Sequence, residues 1–281
     1  MPRLPLAEID RLLDEDVAAG DLTSESLALR GRRGRMRFSA PGDYTVAGVE
    51  IAAEMLRRLS LNTSLSVRSG DAVASGATLL TCEGDAADLH MAWKTSQTLV
   101  EVLSGIATGA RAIVEAAQAV DPNVQVACTR KTFPGARRLC QHAVKAGGAI
   151  LHRAGLSETI LVFPEHLEFL PEASINDVSA RLRRAAPEKK LAVEVSSLAD
   201  AELALAAGFD VVQLEKFSVD AVGEVAARAR ALGSQAVLAA AGGVNAGNAA
   251  AYMRAGAGLL VTSAPYSAPP RDVQVTFESL T

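Results

Sequence analysis

The sequence predicts an α/β protein in which a mixed N-terminal domain precedes a parallel α/β barrel of seven strands, closed or incomplete. Two observations carry the barrel. From about residue 120 onward, short apolar runs recur at VQVAC (124–128), GAILH (148–152), TILVF (159–163), LAVEV (191–195), DVVQL (210–214), AVLAA (236–240) and GLLVT (258–262). They are continuous rather than alternating, as in strands buried on both faces. Most are separated by Ala-rich helical segments such as LADAELALAAG and SVDAVGEVAARARALG, and strand–helix alternation of this kind builds parallel units. A third observation sets the N-terminal domain apart: the first hundred residues lack this rhythm and mix helical with short β-type segments.

In order along the chain, residues 6–19 (LAEIDRLLDEDVAA) place apolar side chains at helical spacing. GDLTSESL is a polar turn in which Asp21 or Thr23 can act as a cap. GRMRFSAPGDYTVAG alternates as a strand does, VEIAAEMLRRL is a helix, and SLSVRSGDAVASGATLLTCEG reads as short strands joined by Gly-containing turns. Residues 86–119 are strongly helical, with a break expected at SGIATG (104–109). After the barrel, Pro and Ser cluster in SAPYSAPPRD, and VQVTFESL is expected to return as a strand to the first domain. The boundary falls near residue 108, giving domains 1–107 (joined by 267–281) and 108–266.

Composition bounds the function. Hydrophobic residues make up 49% of the 281, charged residues 21% and aromatics 4%, with a net charge of −4. That is ample core material for a globular protein and no basic footprint for nucleic acid. No run approaches the ~20 apolar residues of a membrane span, and MPRLPLAEID lacks a signal-peptide pattern. Cys82, Cys128 and Cys140 have no CxxC spacing, which argues against a disulfide framework or a zinc site and for a reducing cytoplasm.

Parallel barrels hold their ligands at the C-terminal ends of the strands. Taken in order, those ends are TRKT, HRAG, PEH, Glu194 with Ser196-Ser197, Glu215-Lys216, AGGVN and TSA. The early ends are cationic (Arg130, Lys131, His152, Arg153) and suit a carboxylate or pyrophosphate. The middle ends are acidic: Glu194 and Glu215 can hold Mg²⁺ or ribose hydroxyls. The late ends are small and Gly-rich, so backbone N–H groups can approach a phosphate, helped by a helix starting near Asn245 or Asn248. Each motif also has a structural reading. AGG alone is more often a tight turn, either glutamate alone can be an ion-pair partner, His142 in a helix and His90 beside a helix start are solvated or structural, and Trp93 packs. Together they describe a sugar-phosphate substrate and a second, acidic reactant.

Five segments, EDVAAGDLT, SGIATGAR, TRKTFPGARR, AGGAILHRAGLSE and AGGVN, resemble the quinolinate phosphoribosyltransferases (nicotinate-nucleotide pyrophosphorylases). TRKT-x-PG followed by HR-x-GL is the specific pairing. WKTSQTLVEVLSGIAT and VTSAPYSAPPRDV are similar to the ModD branch of that family, which is associated with molybdate transport. The resemblance implies an N-terminal α/β sandwich domain and an open-faced parallel α/β barrel of the type II phosphoribosyltransferase kind, in at least a homodimer. It implies phosphoribosyl pyrophosphate and Mg²⁺ as partners. Arg130, Lys131, His152 and Arg153 match acceptor-binding positions, and Ala241, Gly242, Gly243, Thr262 and Ser263 the phosphate loops. Glu194 and Glu215 fall at the metal- or ribose-side positions, with Lys131 a third candidate catalytic group.

The chain also departs from the family pattern. Lys94 stands in the place of an Arg supplied by the neighbouring subunit, and Phe163 where an active-site Lys is expected. Glu215-Lys216 replaces an Asp-Asn pair, Ala241 a Ser, and Ser263 a Gly. Breaking a buried ion pair costs roughly 3–5 kcal/mol, so these losses argue against the dicarboxylate quinolinate. The leading expectation is a phosphoribosyltransferase for another aromatic or heterocyclic acceptor. Two alternatives are a true quinolinate enzyme, in which Lys216 or Lys94 restores the charge, and a non-catalytic anion or nucleotide binder linked to molybdate.

Overall fold

A computed structural model describes residues 4–280. The chain divides into two compact units: residues up to Arg111, Phe133–Gly148 and Pro265 onward form one, and Ala112–Thr132 with Ala149–Ala264 the other.

The first unit contains helices α1 (Leu6–Val17), α2 (Leu22–Ser26), α3 (Val49–Arg58), most of α4 (Ala86–Gln118) and α5 (Arg137–Ala146). Its strands are β1 (Arg33–Ser39), β2 (Tyr44–Thr45), β3 (Asn62–Leu65), β4 (Ala72–Val73), β5 (Thr78–Asp85) and the C-terminal strand Gln274–Leu280. The main sheet is antiparallel, with β1 between β5 and the C-terminal strand, and β3 outside β5. Alternation in β1 buries Met36 and Phe38 completely and leaves Arg33, Arg35 and Arg37 on the other face. There Arg35 reaches Glu83 at 2.7 Å and Glu278 at 3.1 Å. Asp21 caps α2, its carboxylate accepting from the Thr23 and Ser24 N–H groups at 3.0 and 3.2 Å.

One sequence expectation is overturned. α4 runs unbroken through SGIATG as a helix of 33 residues. Its small residues are sites of close approach, not breakers. The Ser104 hydroxyl accepts from the Ala47 N–H at 3.0 Å, and Thr108 Oγ1 from the Thr45 N–H at 3.1 Å. At Gly105 a Cβ would collide with the Pro269 carbonyl, and at Gly109 it would lie 3.0 Å from the Ala268 Cβ.

The second unit is one parallel sheet of seven strands: β6 (Gln125–Cys128), β7 (Ile150–Leu151), β8 (Ile160–Val162), β9 (Leu191–Val195), β10 (Val211–Glu215), β11 (Val237–Ala241) and β12 (Leu259–Thr262). Helices α6 (Pro164–Leu167), α7 (Ile175–Ala185), α8 (Leu198–Ala206), α9 (Val219–Ala231) and α10 (Ala249–Ala255) alternate with the later strands. The spatial order β7–β6–β12–β11–β10–β9–β8 is a curled half-barrel, open between β7 and β8. The gap follows from chain length. Parallel neighbours need a crossover of about a dozen residues or more, and only residues 152–159 join β7 to β8. Inside the curl the packed side chains are small: Ala127, Ala239, Ala241 and Val261, with Val211 and Leu259 against them. Serines start three of the helices, with Ser174, Ser197 and Ser218 each accepting an N–H three residues on. Ser197 is thus a helix cap. Among the described residues, no helix is long and apolar enough to cross a membrane.

The Gly105 contact makes a stability prediction. Ala is the better helix former by about 0.8–1 kcal/mol, but overpacking against a fixed backbone costs about 1–3 kcal/mol. Gly105→Ala should therefore lower the melting temperature by a few degrees in a thermal unfolding scan. An unchanged or higher value would mean that the Pro269 segment yields.

Candidate functional site

The C-terminal ends of the parallel strands surround one cavity of about 570 Å³. The parallel ladder fixes its rim: the Thr129 N–H donates to the Thr262 carbonyl at 2.9 Å, and the His152 N–H to the Cys128 carbonyl at 2.9 Å. These bonds carry β6 and β7 into the segments that present Arg130, Lys131, His152 and Arg153 to the cavity. Thr129 Oγ1 accepts from the Lys131 N–H at 3.2 Å and so turns the chain outward. Arg153 is 8% exposed, with its guanidinium 5.6 Å from the Phe163 ring centre. Burial, and then the charge of Arg130, lowers its pKa, yet a guanidinium stays protonated. Burial, followed by the Arg153 charge, pushes His152 below the ordinary histidine range, so a neutral imidazole faces the cavity at neutral pH. Some arginines elsewhere are paired, as Arg58 is with Asp10 and Arg228 with Glu202. Among the described residues no carboxylate lies within ion-pairing distance of Arg130, Lys131 or Arg153.

The acids stand across the mouth. Glu194 and Gln213 are register partners on β9 and β10, and Gln213 Nε2 donates to Glu194 Oε2 at 2.6 Å. Burial raises the Glu194 pKa, Glu215 and Glu165 raise it further, and the Gln213 hydrogen bond and the charge of Lys131 oppose them. Among the described residues no cluster of three or more His, Cys, Asp or Glu could hold a metal alone. Mg²⁺ usually takes one or two carboxylates plus substrate phosphates and water, so the pair Glu194 and Glu215 fits that ion as the partner of a phosphorylated ligand.

The third wall is the loop after β11. Gly242 and Gly243 have φ of 81° and 88°, the left-handed region that favours glycine. A Cβ on Gly242 would lie 2.7 Å from Lys216 Cγ and 2.8 Å from Glu215 Oε1, whereas one on Gly243 would meet open space. Asn248 braces the loop: its Oδ1 accepts from the Asn245 N–H at 2.8 Å and its Nδ2 donates to the Gly243 carbonyl at 3.0 Å. Thr262 Oγ1 donates to the Val244 carbonyl at 2.6 Å and accepts from the Ala264 N–H at 3.0 Å. Its hydroxyl is therefore committed to the loop, while Ala241 and Ser263 line the cavity beside it.

The structure thus brings together Arg130, Lys131, His152, Arg153, Phe163, Glu194, Glu215, Ala241, Gly242, Gly243, Thr262 and Ser263. Lys94 is not among these residues. It is exposed on α4 in the first unit, its ammonium 4.2 Å from the Trp93 ring centre and 3.3 Å from Gln97 Oε1. Arg138, beside the site segment in sequence, pairs with Glu8 at 3.6 Å. His142 bonds the Ser69 hydroxyl at 3.0 Å, and His90 stacks on Phe277. Gln213 is a polar cavity residue that the sequence does not single out. Its only signal was a polar letter inside the apolar run DVVQL.

Comparison with known proteins agrees with this geometry. Residues 106–276 match the model of the quinolinate phosphoribosyl transferase C-terminal domain, and residues 21–104 that of its N-terminal domain. A ModD protein of Rhodobacter capsulatus, whose name carries a provisional pyrophosphorylase activity, is 44% identical over 247 residues, covering 87% of this chain and 94% of its own. The ModD protein of Pasteurella multocida is 38% identical over 272 residues, 96% of each chain. The nicotinate-nucleotide pyrophosphorylase of Francisella tularensis has a similar structure, with a TM-score of 0.88 at 24% identity over 98% of both chains.

The environment of Glu194 predicts a trade of stability against function. Its pKa is raised in the fold, so the folded state binds its proton more tightly than the unfolded chain does. The stability this contributes is present below the unfolded carboxylate pKa and is lost as pH rises through the folded value. At neutral pH the ionised Glu194 is destabilising. Glu194→Gln should raise the melting temperature at pH 7–8, and the gain should shrink toward pH 4. A variant equally destabilised at both pH values would contradict this.

Proposed function

The chain belongs to the quinolinate phosphoribosyl transferase family, and within it we propose a ModD-type pyrophosphorylase with an aromatic or heterocyclic acceptor other than quinolinate. Its enzyme class is the pentosyltransferases of that family. In the proposed reaction the bond from ribose C1 to the pyrophosphate oxygen breaks, a bond from C1 to the acceptor forms, and pyrophosphate leaves. The observation that carries the choice of acceptor is Phe163. An apolar ring stands on the cavity wall under the Arg153 guanidinium, at the position where the family resemblance leads one to expect a lysine. The wall therefore offers a flat apolar surface beside Arg153 and one cation fewer than a lysine at that position would give, which suits a ring with at most one carboxylate.

The other groups take roles by position. Arg130, His152 and Arg153 hold the acceptor, with His152 neutral and able to share one hydrogen bond. Lys131 neutralises the departing pyrophosphate. Glu194 and Glu215 face the ribose and hold Mg²⁺, which when bound supplies further positive charge to the pyrophosphate. Gly242 and Gly243 admit a phosphate against their backbone, braced by Thr262 and flanked by Ala241 and Ser263. Such a site works by positioning and fixed charge. Lys94, exposed on α4, completes the site of a neighbouring subunit in a homodimer or larger homo-oligomer. The three cysteines are free and buried, and burial pushes Cys82 and Cys128 up to about 12. This supports a cytoplasmic home and leaves thiol chemistry out of the reaction.

Two measurements test this reading. With phosphoribosyl pyrophosphate and Mg²⁺, aromatic monocarboxylates and nucleobases are compared with quinolinate for pyrophosphate release and for product mass. Turnover with a monocarboxylate or uncharged ring, and quinolinate slower by about 10² or more, is the expected result. Quinolinate as the best acceptor, with CO₂ released, would overturn the acceptor assignment. Arg130→Ala and Lys131→Ala should each lower kcat/KM by about 10²–10³ at unchanged melting temperature. Near-normal turnover in both would remove the site assignment.

A further inference from the structure

The phosphate wall of the cavity has a charge deficit. Ala241, Gly242, Gly243, Val244, Asn245, Thr262 and Ser263 are all neutral, whereas a phosphate monoester carries about −1.5 to −2 at pH 7. Backbone N–H groups can orient such an ion but do not balance it.

The residue next to this wall is Lys216, which follows the end of β10. It has φ of 60°, a left-handed conformation uncommon for any residue with a Cβ and better suited to Gly or Asn. Two contacts hold it there. The Lys216 N–H donates to the Ala241 carbonyl at 2.8 Å. Its stem also lies so close over Gly242 that a Cβ on the glycine would come within 2.7 Å of Lys216 Cγ and 2.9 Å of Lys216 N. Gly242 is thus required twice, by its own φ and by the lysine laid across it. Lys216 is exposed and lines the cavity. Among the described residues its ammonium has no carboxylate within ion-pairing distance. Backbone strain of this kind persists where function needs the side chain in one place.

We propose that Lys216 is the cation of the phosphate subsite, binding the 5-phosphate of the phosphoribosyl group above Gly242 and Gly243. The assignment rests on the phosphoribosyl transfer proposed above. It separates Lys216 from the cations of β6 and β7, which face the pyrophosphate and the acceptor.

Calorimetry tests the assignment with two probes: ribose 5-phosphate, which has the 5-phosphate alone, and inorganic pyrophosphate with Mg²⁺. Asn accepts the left-handed conformation without the charge, so Lys216→Asn should fold with an unchanged or higher melting temperature. It should bind ribose 5-phosphate about 10-fold to 100-fold more weakly, as expected for one lost charge-assisted hydrogen bond. Pyrophosphate affinity should stay within about twofold, and Lys216→Arg should keep most of the ribose 5-phosphate affinity. Unchanged ribose 5-phosphate affinity in Lys216→Asn would overturn the proposal. So would a loss confined to pyrophosphate, or a lower melting temperature, which would make Lys216 a structural residue. Wild-type protein that binds phosphoribosyl pyrophosphate while its Asn variant binds ribose 5-phosphate normally would contradict this assignment alone. Wild-type protein that binds neither probe nor phosphoribosyl pyrophosphate would overturn the transferase reading along with it.

Discussion

Parallel pairing of the seven strands is the constraint on which the rest of the site depends. Because every strand points the same way, every strand end arrives at one rim, and side chains far apart in sequence share one cavity. The register does the finer placing. Glu194 stands opposite Gln213 and Glu215 opposite Ala241, so the acids meet their amide partner and the glycine loop without any loop folding to bring them there. The interior alanines at 127, 239 and 241 matter for the same reason, because small side chains below the rim leave room above them.

Charge is segregated around that rim. Among the described residues the cations at the ends of β6 and β7 have no carboxylate within ion-pairing distance, while Glu194 is held in a partly buried place where its ionised form is disfavoured. Closing the two sets into ion pairs would give a more stable protein and a blocked mouth. In the proposed reaction, a phosphorylated sugar with its metal ion and an acidic acceptor would bring complementary charge to each wall, which is how preorganised sites bind and react without rearranging. Gln213 is part of this arrangement. Its Nε2 serves Glu194 while its buried Oε1 has no hydrogen-bond partner among the described residues, a local deficit that an apolar residue would not carry.

Much of this was legible in the sequence because buried parallel strands write themselves as continuous apolar runs. All seven runs are strands, and the groups following them line the cavity. The resemblance added the open face of the barrel, and the short 152–159 connection explains where the opening falls. What could not be read depended on three-dimensional neighbours. SGIATG has the composition of a helix breaker, yet its Ser, Gly and Thr are contact points inside one long helix, because the partners that use them lie at Thr45, Ala47, Ala268 and Pro269. Gln213 was hidden inside a strand, since its importance comes from a register no single run reveals. Thr262 looked like a ligand group but spends its hydroxyl on Val244 and Ala264. The strain at Lys216 exists only in φ.

The most direct test of the account is a crystal structure of the protein with phosphoribosyl pyrophosphate and Mg²⁺. The expected result is one ligand in the mouth of the half-barrel, its 5-phosphate against Gly242 and Gly243, its ribose hydroxyls and metal facing Glu194 and Glu215, and its pyrophosphate toward Lys131. It also leaves the surface between Arg153 and Phe163 clear for the acceptor. A ligand bound outside the strand ends, or one whose phosphates lie against Arg153 and Phe163 with the glycine loop vacant, would contradict it.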